Sequence, residues 1–124
     1  MSISPTDSNL VFAGTGKGIF YSNDGANTWT QIEQYKGLLI FAMTFDEKGA
    51  LYSSTDSFGL SKSSDLGVSW EKINSPQLTI MSIAVDSQNN ILYVAGSSHG
   101  GFQEVYRSSD DGASWDLIAT NKEL

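Results

Sequence analysis

The segment SSDDGASW at residues 108–115 has two close copies earlier in the same chain. SNDGANTW stands at residues 22–29 and SSDLGVSW at residues 63–70, so the three tryptophans are 41 and 45 residues apart. A segment that recurs at this interval predicts a repeat protein, in which each copy belongs to one structural unit. We call these three segments the box turns.

Each box turn reads Ser-x-Asp, then small or turn-forming residues, then Ser/Thr-Trp. An Asp in a tight turn accepts hydrogen bonds from backbone N–H groups that follow it, and Gly supplies positive φ without steric cost. The pattern therefore predicts a turn fixed from within, followed by a strand that begins at the Ser/Thr-Trp pair. The first copy has Ala26 where the others have Gly67 and Gly112, so we expect its turn to be slightly distorted.

The threefold recurrence also decides how the conspicuous side chains of the box turns are interpreted. Equivalent carboxylates in every unit indicate a turn-fixing role rather than catalysis. Equivalent tryptophans indicate a core between units rather than platforms for stacking sugars. The residues assigned this structural role are Ser22, Asp24, Trp29, Ser63, Asp65, Gly67, Trp70, Ser108, Asp110, Gly112 and Trp115.

Alignment on the box turns gives four strand-like segments per unit, bounded by turn signals about every 8 to 12 residues. The predicted strands are 2–4, 10–13, 18–21 and 28–32, then 40–45, 50–54, 59–62 and 69–73, and finally 79–85, 91–95, 104–107 and 114–118. No unit shows an apolar i, i+3, i+4 pattern of useful length, which argues against helical repeats. The first strand of each unit is the most apolar, as expected of an innermost strand packed on both sides.

Four short strands per unit of about 40 residues predict a blade of a β-propeller. The predicted fold class is all-β, with three four-stranded antiparallel blades in one repeat domain that covers residues 1–124. The predicted blades are residues 1–35, 36–76 and 77–124.

Composition narrows the functional classes. The chain of 124 residues is 40% hydrophobic, which is enough for a modest core. Fourteen acidic and seven basic residues give a net charge of −7, which argues against nucleic-acid binding. There is no cysteine, and His99 is the single histidine, so we expect neither a metal site nor a cofactor. No apolar run approaches about 20 residues, so neither a membrane span nor a signal peptide is expected.

The box turns resemble the Asp-box, or BNR, repeat of sialidases, sortilin-type receptors, xyloglucan-cleaving hydrolases and the propeller assembly factors of photosystem II. The sequence around the first box turn is more similar to the last three groups than to sialidases; it reads NLVFAGTGKGIFYSNDGANTWTQI at residues 9–32. The resemblance covers the whole chain as three consecutive blades. It implies that each box turn joins the third and fourth strands, away from the working face. It also implies an extracytoplasmic location, periplasmic or secreted.

A candidate ligand face follows from an insertion in the third unit. SSHGGFQEV, residues 97–105, lengthens the loop between the second and third strands, on the side where the connections between blades also lie. Loops on a rigid scaffold are frequent binding sites. Gly-rich insertions, however, often have no function and are simply tolerated by the fold. The side chains expected on this face are Lys17, Tyr35, Asp56, Phe58, His99 and Phe102.

Two enzyme classes can be tested on residue types. A sialidase resembling the family needs three arginines around the substrate carboxylate, and Arg107 is the only arginine here. A glycoside hydrolase needs two carboxylates facing each other across a cleft, for which Asp56 and Glu104 are unremarkable candidates. We therefore assign no catalytic residue.

Three blades cannot close a ring, since propellers usually contain about 4 to 8. We expect two chains to pair head to tail into a six-bladed ring, or further blades of a larger protein to complete it. The predicted function is a non-catalytic binding or assembly scaffold, with a protein or a glycan as ligand. The alternatives are a fragment of a secreted carbohydrate-active enzyme, a glycoside hydrolase, or a glycan-binding, lectin-like propeller.

Overall fold

The computed structural model describes residues 1–56 and 59–121, which form three four-stranded antiparallel sheets. The first sheet contains β1 (Ser2–Ile3), β2 (Val11–Thr15), β3 (Gly18–Ser22) and β4 (Thr30–Gln31), and a 3-10 helix (Glu33–Tyr35) follows it. The second contains β5 (Ile40–Phe45), β6 (Leu51–Thr55), β7 (Gly59–Ser63) and β8 (Glu71–Ile73). The third contains β9 (Leu78–Asp86), β10 (Ile91–Ser98), β11 (Gln103–Ser108) and β12 (Asp116–Ala119). In each sheet every strand pairs with the next one along the chain, so the predicted four-strand unit is confirmed three times.

The fourth strands begin later than the sequence predicts. The predicted strands 28–32, 69–73 and 114–118 are observed as β4, β8 and β12, each of which starts two residues further on. The reason is that the Ser/Thr-Trp pair stays in the turn. In the second sheet, for example, the Ser69 N–H and hydroxyl both donate to the Asp65 carboxylate.

The first and second sheets pack face to face along what we call the first seam. Inner strand β5 lies against β2, and the core of this seam consists of large apolar side chains from both sheets and from the 3-10 helix. Its buried members are Phe12, Ile19, Ile32, Tyr35, Ile40 and Leu51.

The second seam joins the second and third sheets in the same way. Inner strand β9 lies against β5, β6 and β7. The buried residues of this seam are Tyr52, Leu60, Ile73, Ile80, Ile83, Leu92 and Val94. The three sheets are thus stacked in chain order, with one continuous core at each seam.

Strand β6 shows what this stacking requires of the middle sheet, since all five of its residues are buried. Leu51 belongs to the first seam and Tyr52 to the second, as alternation along a strand dictates. The two buried serines that follow find hydrogen-bond partners across the seams. Ser53 donates to the Tyr35 hydroxyl at 3.2 Å, and Ser54 donates to the Ile80 carbonyl at 2.8 Å. Both sheet neighbours are therefore needed to satisfy this strand.

Within residues 1–56 and 59–121, no helix has the length and apolar character that crossing a bilayer requires.

Truncation of a buried seam residue tests whether packing at the seams stabilises the folded chain. Leu60 is fully buried in the second seam, and Leu60→Ala should lower the free energy of unfolding by about 2–5 kcal/mol because it leaves a cavity. Leu39→Ala is the matched control, since Leu39 is exposed and should cost well under about 1 kcal/mol. Urea unfolding measures both variants. Equal losses would contradict the assignment of the core to the seams.

Candidate functional site

The box turns are held by the same hydrogen bonds in all three copies. In the second copy the Ser63 hydroxyl donates to Oδ1 of Asp65 at 2.8 Å and accepts the Gly67 N–H at 2.8 Å. The Asp65 carboxylate in turn accepts the N–H of Ser69 at 2.8 Å, and it also accepts the Ser69 hydroxyl. Corresponding bonds join Ser22, Asp24, Ala26 and Thr28 in the first copy and Ser108, Asp110, Gly112 and Ser114 in the third.

Each box turn also contains two successive residues with positive φ. In the second copy these are Leu66 at 58° and Gly67 at 86°, and in the third they are Asp111 at 59° and Gly112 at 87°. In the first copy, Ala26 takes φ of 76° and its N–H still donates to the Ser22 hydroxyl at 2.9 Å. The distortion expected from Ala26 is therefore absent from the hydrogen bonding of the turn.

The preceding sheet explains why the second and third copies need glycine. A Cβ on Gly112 would lie 2.0 Å from Cγ2 of Ile73, and one on Gly67 would lie 3.0 Å from Cε1 of Phe12. Both turns thus press against the core of the sheet before them. The first copy has no earlier sheet among the described residues, and there a methyl group is accommodated at Ala26.

The carboxylates of the box turns have strongly lowered pKa values. The pKa of Asp65 falls from 3.8 to about 2, chiefly because the Ser69 hydroxyl donates to the charged form, with help from the Ser69 N–H and the Ser63 hydroxyl. The pKa values of Asp24 and Asp110 are also lowered to about 2 by the equivalent donors, first of all the Thr28 and Ser114 hydroxyls. Proton transfer near neutral pH is best served by a group with a pKa near 7. The three carboxylates are instead charged hydrogen-bond acceptors at neutral pH.

The tryptophans of the second and third copies lie at the seams. Nε1 of Trp70 donates to the Gly67 carbonyl at 3.1 Å, and the indole stands edge-on to the Tyr35 ring with centroids 4.9 Å apart. Nε1 of Trp115 donates across the second seam to the Asn74 carbonyl at 2.7 Å. Trp29 has no preceding sheet among the described residues, and the residue is 40% exposed.

The candidate ligand face is built on the hairpin turns between second and third strands. The connection between the first two sheets adjoins the β2–β3 turn, since the Gly37 N–H donates to the Lys17 carbonyl at 2.9 Å. Likewise Gly59 at the start of β7 lies beside Ser75 in the next connection. Hairpin turns and connections therefore lie on the same side of the first two sheets.

The predicted side chains of this face have different surroundings. Lys17, Asp56, His99 and Phe102 are exposed on hairpin loops of the three sheets, and Phe102 is 57% exposed. Tyr35 is a correction, because it is only 2% exposed and its hydroxyl accepts a hydrogen bond from Ser53 inside the first seam. Phe58 lies outside the described residues.

The hairpin 98–102 of the third sheet is a compact turn. The Gly101 N–H donates to the Ser98 carbonyl at 2.9 Å, and the Ser98 N–H donates to the Phe102 carbonyl at 2.9 Å. The Glu104 carboxylate just beyond it accepts the Tyr106 hydroxyl at 3.0 Å. In the described part of the chain, no group of three or more His, Asp and Glu side chains could hold a metal ion.

Sequence reasoning missed two cavities along the first seam. One, of about 420 Å³, is lined by Gln34, Tyr35, Ser61, Ser69, Trp70 and Lys72. The other, of about 400 Å³, includes Leu10, Tyr21, Ile32, Leu66 and Val68 in its lining. One difference between the copies could have indicated these cavities. The second box turn has Leu66 and Val68 where the third has Asp111 and Ala113.

Comparison with known proteins identifies the architecture. A family model described as a beta-propeller repeat (SBBP) matches residues 66–103. The three sheets are blades of a β-propeller. The predicted fold class is thereby confirmed, as three four-stranded blades. No curated protein sequence matches the chain.

Several solved structures share the arrangement of the blades. The GH74 xyloglucanase from Xanthomonas campestris superimposes with a TM-score of 0.79 at 16% identity, covering 94% of this chain and 21% of the xyloglucanase. A GH74 enzyme from Niastella koreensis gives 0.78 at 23% identity, with 94% and 20% covered. YCF48 from Cyanidioschyzon merolae gives 0.72 at 19% identity, with 94% and 35% covered. The chain therefore spans between a fifth and about a third of these proteins and shares their fold.

Acid should unfold the blades through the box carboxylates. Because their pKa values are lowered in the folded state, their contribution to stability is complete above about pH 4 and is lost as the pH falls towards 2. Urea unfolding at several pH values, followed by tryptophan fluorescence, should show this decline. A variant with Asp24→Asn, Asp65→Asn and Asp110→Asn should show a flatter profile, and an unchanged profile would contradict the assignment.

The contact between box turn and preceding blade can be tested at Gly112. Gly112→Ala combines positive φ with a clash against Ile73, and it should lower the free energy of unfolding by about 1–3 kcal/mol more than a control with positive φ alone. Gly49→Ala is that control, because Gly49 has φ of 93° and nothing lies within 4 Å of the added Cβ. Equal losses in urea unfolding would mean that the seam does not require glycine.

Proposed function

We propose that the chain is a non-catalytic β-propeller scaffold for binding or assembly, and that two copies pack head to tail into a six-bladed ring. We propose the blade boundaries 1–35, 36–76 and 77–124. The observation that carries the proposal is the pair of blade faces left uncovered at the two ends of the stack.

The outward face of blade 3 repeats positions that are core elsewhere. Val105 stands where blades 1 and 2 have Ile19 and Leu60, both fully buried under the next blade. Ile118 occupies the position of Ile32 and Ile73, which are also buried, yet Ile118 is 42% exposed. Tyr93 likewise takes the place of Phe12 and Tyr52 and is only half-buried. A face with this pattern is suited to one more blade.

The outward face of blade 1 offers the complementary half of such a seam. In blades 2 and 3 the box-turn tryptophan closes the seam with the preceding blade, and Trp29 is available for the same role. The partner blade must leave room for the Ala26 methyl group, because the equivalent glycines touch the preceding blade closely. A contact of blade 3 on blade 1 of a second copy, repeated by two-fold symmetry, makes a closed ring of six blades.

The similarity to larger propellers supports an alternative, in which further blades of a longer protein cover the same two faces. The GH74 xyloglucanase and YCF48 each extend well beyond the part that this chain matches. In the enzyme version of this alternative, the chain is part of a carbohydrate-active hydrolase whose catalytic residues lie elsewhere. YCF48 has also been solved bound to a D1 peptide, which illustrates peptide binding by a propeller of similar blades.

The solution mass separates the ring from the alternatives. Light scattering coupled to size exclusion should give twice the mass of one chain. Val105→Glu places a charge on the proposed interface and should yield monomers with an unchanged circular dichroism spectrum. Leu39→Glu is the control, because Leu39 is exposed and lies in the connection between blades 1 and 2. A monomeric wild-type chain would refute closure by a second copy.

Activity and ligand assays test the two alternative functions, a hydrolase fragment and a glycan-binding propeller. Release of reducing ends from xyloglucan by the purified chain would refute the non-catalytic scaffold. Binding on a glycan array that is lost in a His99→Ala, Phe102→Ala variant would favour the lectin-like alternative instead. The scaffold proposal expects neither signal from correctly folded protein.

A further inference from the structure

The two cavities of the first seam form one surface feature, which we call the rim groove. They lie on either side of Gln34, which lines both of them and whose Nε2 donates across the seam to the Val68 carbonyl at 3.1 Å. Volumes of about 400 and 420 Å³ fall within the usual range of ligand pockets, about 300–1,000 Å³. None of the described residues that line the rim groove belongs to a hairpin turn between second and third strands.

The polar atoms of Trp70 and Tyr35, which line the cavity of about 420 Å³, are already engaged. The Trp70 indole N–H donates to the Gly67 carbonyl, and the Tyr35 hydroxyl accepts from Ser53. What Trp70 presents to the cavity of about 420 Å³ is therefore ring carbon, edge-on to a Tyr35 ring that is itself buried. Trp70 also lines a smaller cavity beside Asp65, so the indole is reached from more than one side. These ring carbons can therefore make apolar contacts with a ligand but no hydrogen bonds through the indole N–H.

The box turn that borders the groove exposes two aliphatic side chains. Leu66 is 47% exposed and Val68 is 73% exposed. Leu66 also has φ of 58°, a conformation that glycine and aspartate adopt more readily than leucine. The same position holds Gly25 in the first copy and Asp111 in the third. The second copy thus accepts both backbone strain and exposed apolar surface, a combination that indicates a functional constraint.

The second seam provides an internal comparison. At the positions of Leu10, Tyr21, Leu66 and Val68 it carries Ala50, Lys62, Asp111 and Ala113. The cleft that Lys62 and Asp111 line there, of about 90 Å³, has several charged residues in its lining, including Asp46, Lys48, Lys62 and Asp111. The same repeat therefore builds an apolar groove at one seam and a small charged cleft at the other.

Opposite charges mark the two halves of the groove. Glu33 lines the cavity that contains Leu66, and Lys72 lines the cavity that contains Trp70. Both side chains are exposed, and neither has an ion-pair partner among the described residues. A ligand that matches this arrangement carries a positive group at one end and a negative group at the other, with apolar groups between them.

We propose that the rim groove binds an extended peptide segment of another protein, which inserts one apolar side chain into each cavity. A basic side chain of the peptide lies near Glu33, and an acidic side chain lies near Lys72. Glu33 and Lys72 match the charged side chains of a peptide, whereas a neutral glycan offers no charge to either, so a peptide fits the groove better than a neutral glycan does. The site is independent of ring closure, because it is complete within blades 1 and 2 of one chain.

A peptide library displayed on phage, selected on the purified chain, supplies the probe. Selected peptides, synthesised with a fluorophore, are then titrated by anisotropy. The decisive variant combines Leu66→Asp with Val68→Ala, which turns SSDLGVSW into SSDDGASW, the sequence of the third box turn. Because the protein already folds with that turn, and because aspartate suits positive φ, this variant should fold normally. We expect its affinity for the selected peptides to fall at least about tenfold.

The reciprocal variant is the matched control. Asp111→Leu with Ala113→Val gives the third box turn the sequence of the second, and it should leave the affinity within about twofold of wild type. Glu33→Lys should weaken peptides with a basic end and leave neutral analogues unaffected.

Two results would overturn the inference. One is a library that yields no peptide, and the other is a set of selected peptides that bind the Leu66→Asp, Val68→Ala variant as tightly as wild type. Solution mass is recorded on the same samples, so failure of the groove is distinguishable from failure of ring closure.

Discussion

A thin antiparallel sheet with apolar side chains on both faces needs a neighbour on each side, and this requirement underlies the rest of the structure. Blade 2 meets it completely, since Leu51 is buried against blade 1 and Tyr52 against blade 3. Even its buried serines depend on the neighbours, because Ser53 and Ser54 find their hydrogen-bond partners across the two seams. Blades 1 and 3 each have one covered face, and the uncovered face of blade 3 carries Val105 and Ile118 at positions that are buried in the other blades. Each end blade thus lacks, among the described residues, one of the two neighbours that blade 2 has.

The box turn is the device that joins local structure to this packing. A hydroxyl and a carboxylate fix a turn with two successive positive φ angles, and that geometry carries a glycine up against the core of the preceding blade. The tryptophan that ends the turn then closes the edge of the seam. The lowered carboxylate pKa follows from the same hydrogen bonds, so it reports the integrity of the turn and not an acid or base in catalysis. One eight-residue segment therefore sets the turn, the start of the fourth strand and the contact between blades.

Much of this architecture could be predicted from three aligned copies, because a repeat marks the equivalent strands. Strand 40–45 was predicted with the bounds observed for β5. The fourth strands were predicted to begin too early, because hydrogen bonds that hold Ser69 in the turn leave no signal in a strand propensity. Tyr35 was assigned to a ligand face because it follows the last strand of a blade. Its burial depends on how blade 2 packs against blade 1, which periodicity along one strand does not describe.

The same limit explains why the rim groove was missed, and it also shows where repeat sequences are most informative. A groove between blades depends on two units together, so no single unit reveals it. Departures between otherwise identical units are nevertheless visible in the sequence, and here two box turns differ only at Leu66 and Val68. Both substitutions oppose the stability of an isolated turn, since one places leucine at positive φ and both expose apolar surface. The third box turn folds with Asp111 and Ala113 at the same positions, so the fold itself does not require Leu66 and Val68. A ligand that contacts the two exposed side chains explains their presence better.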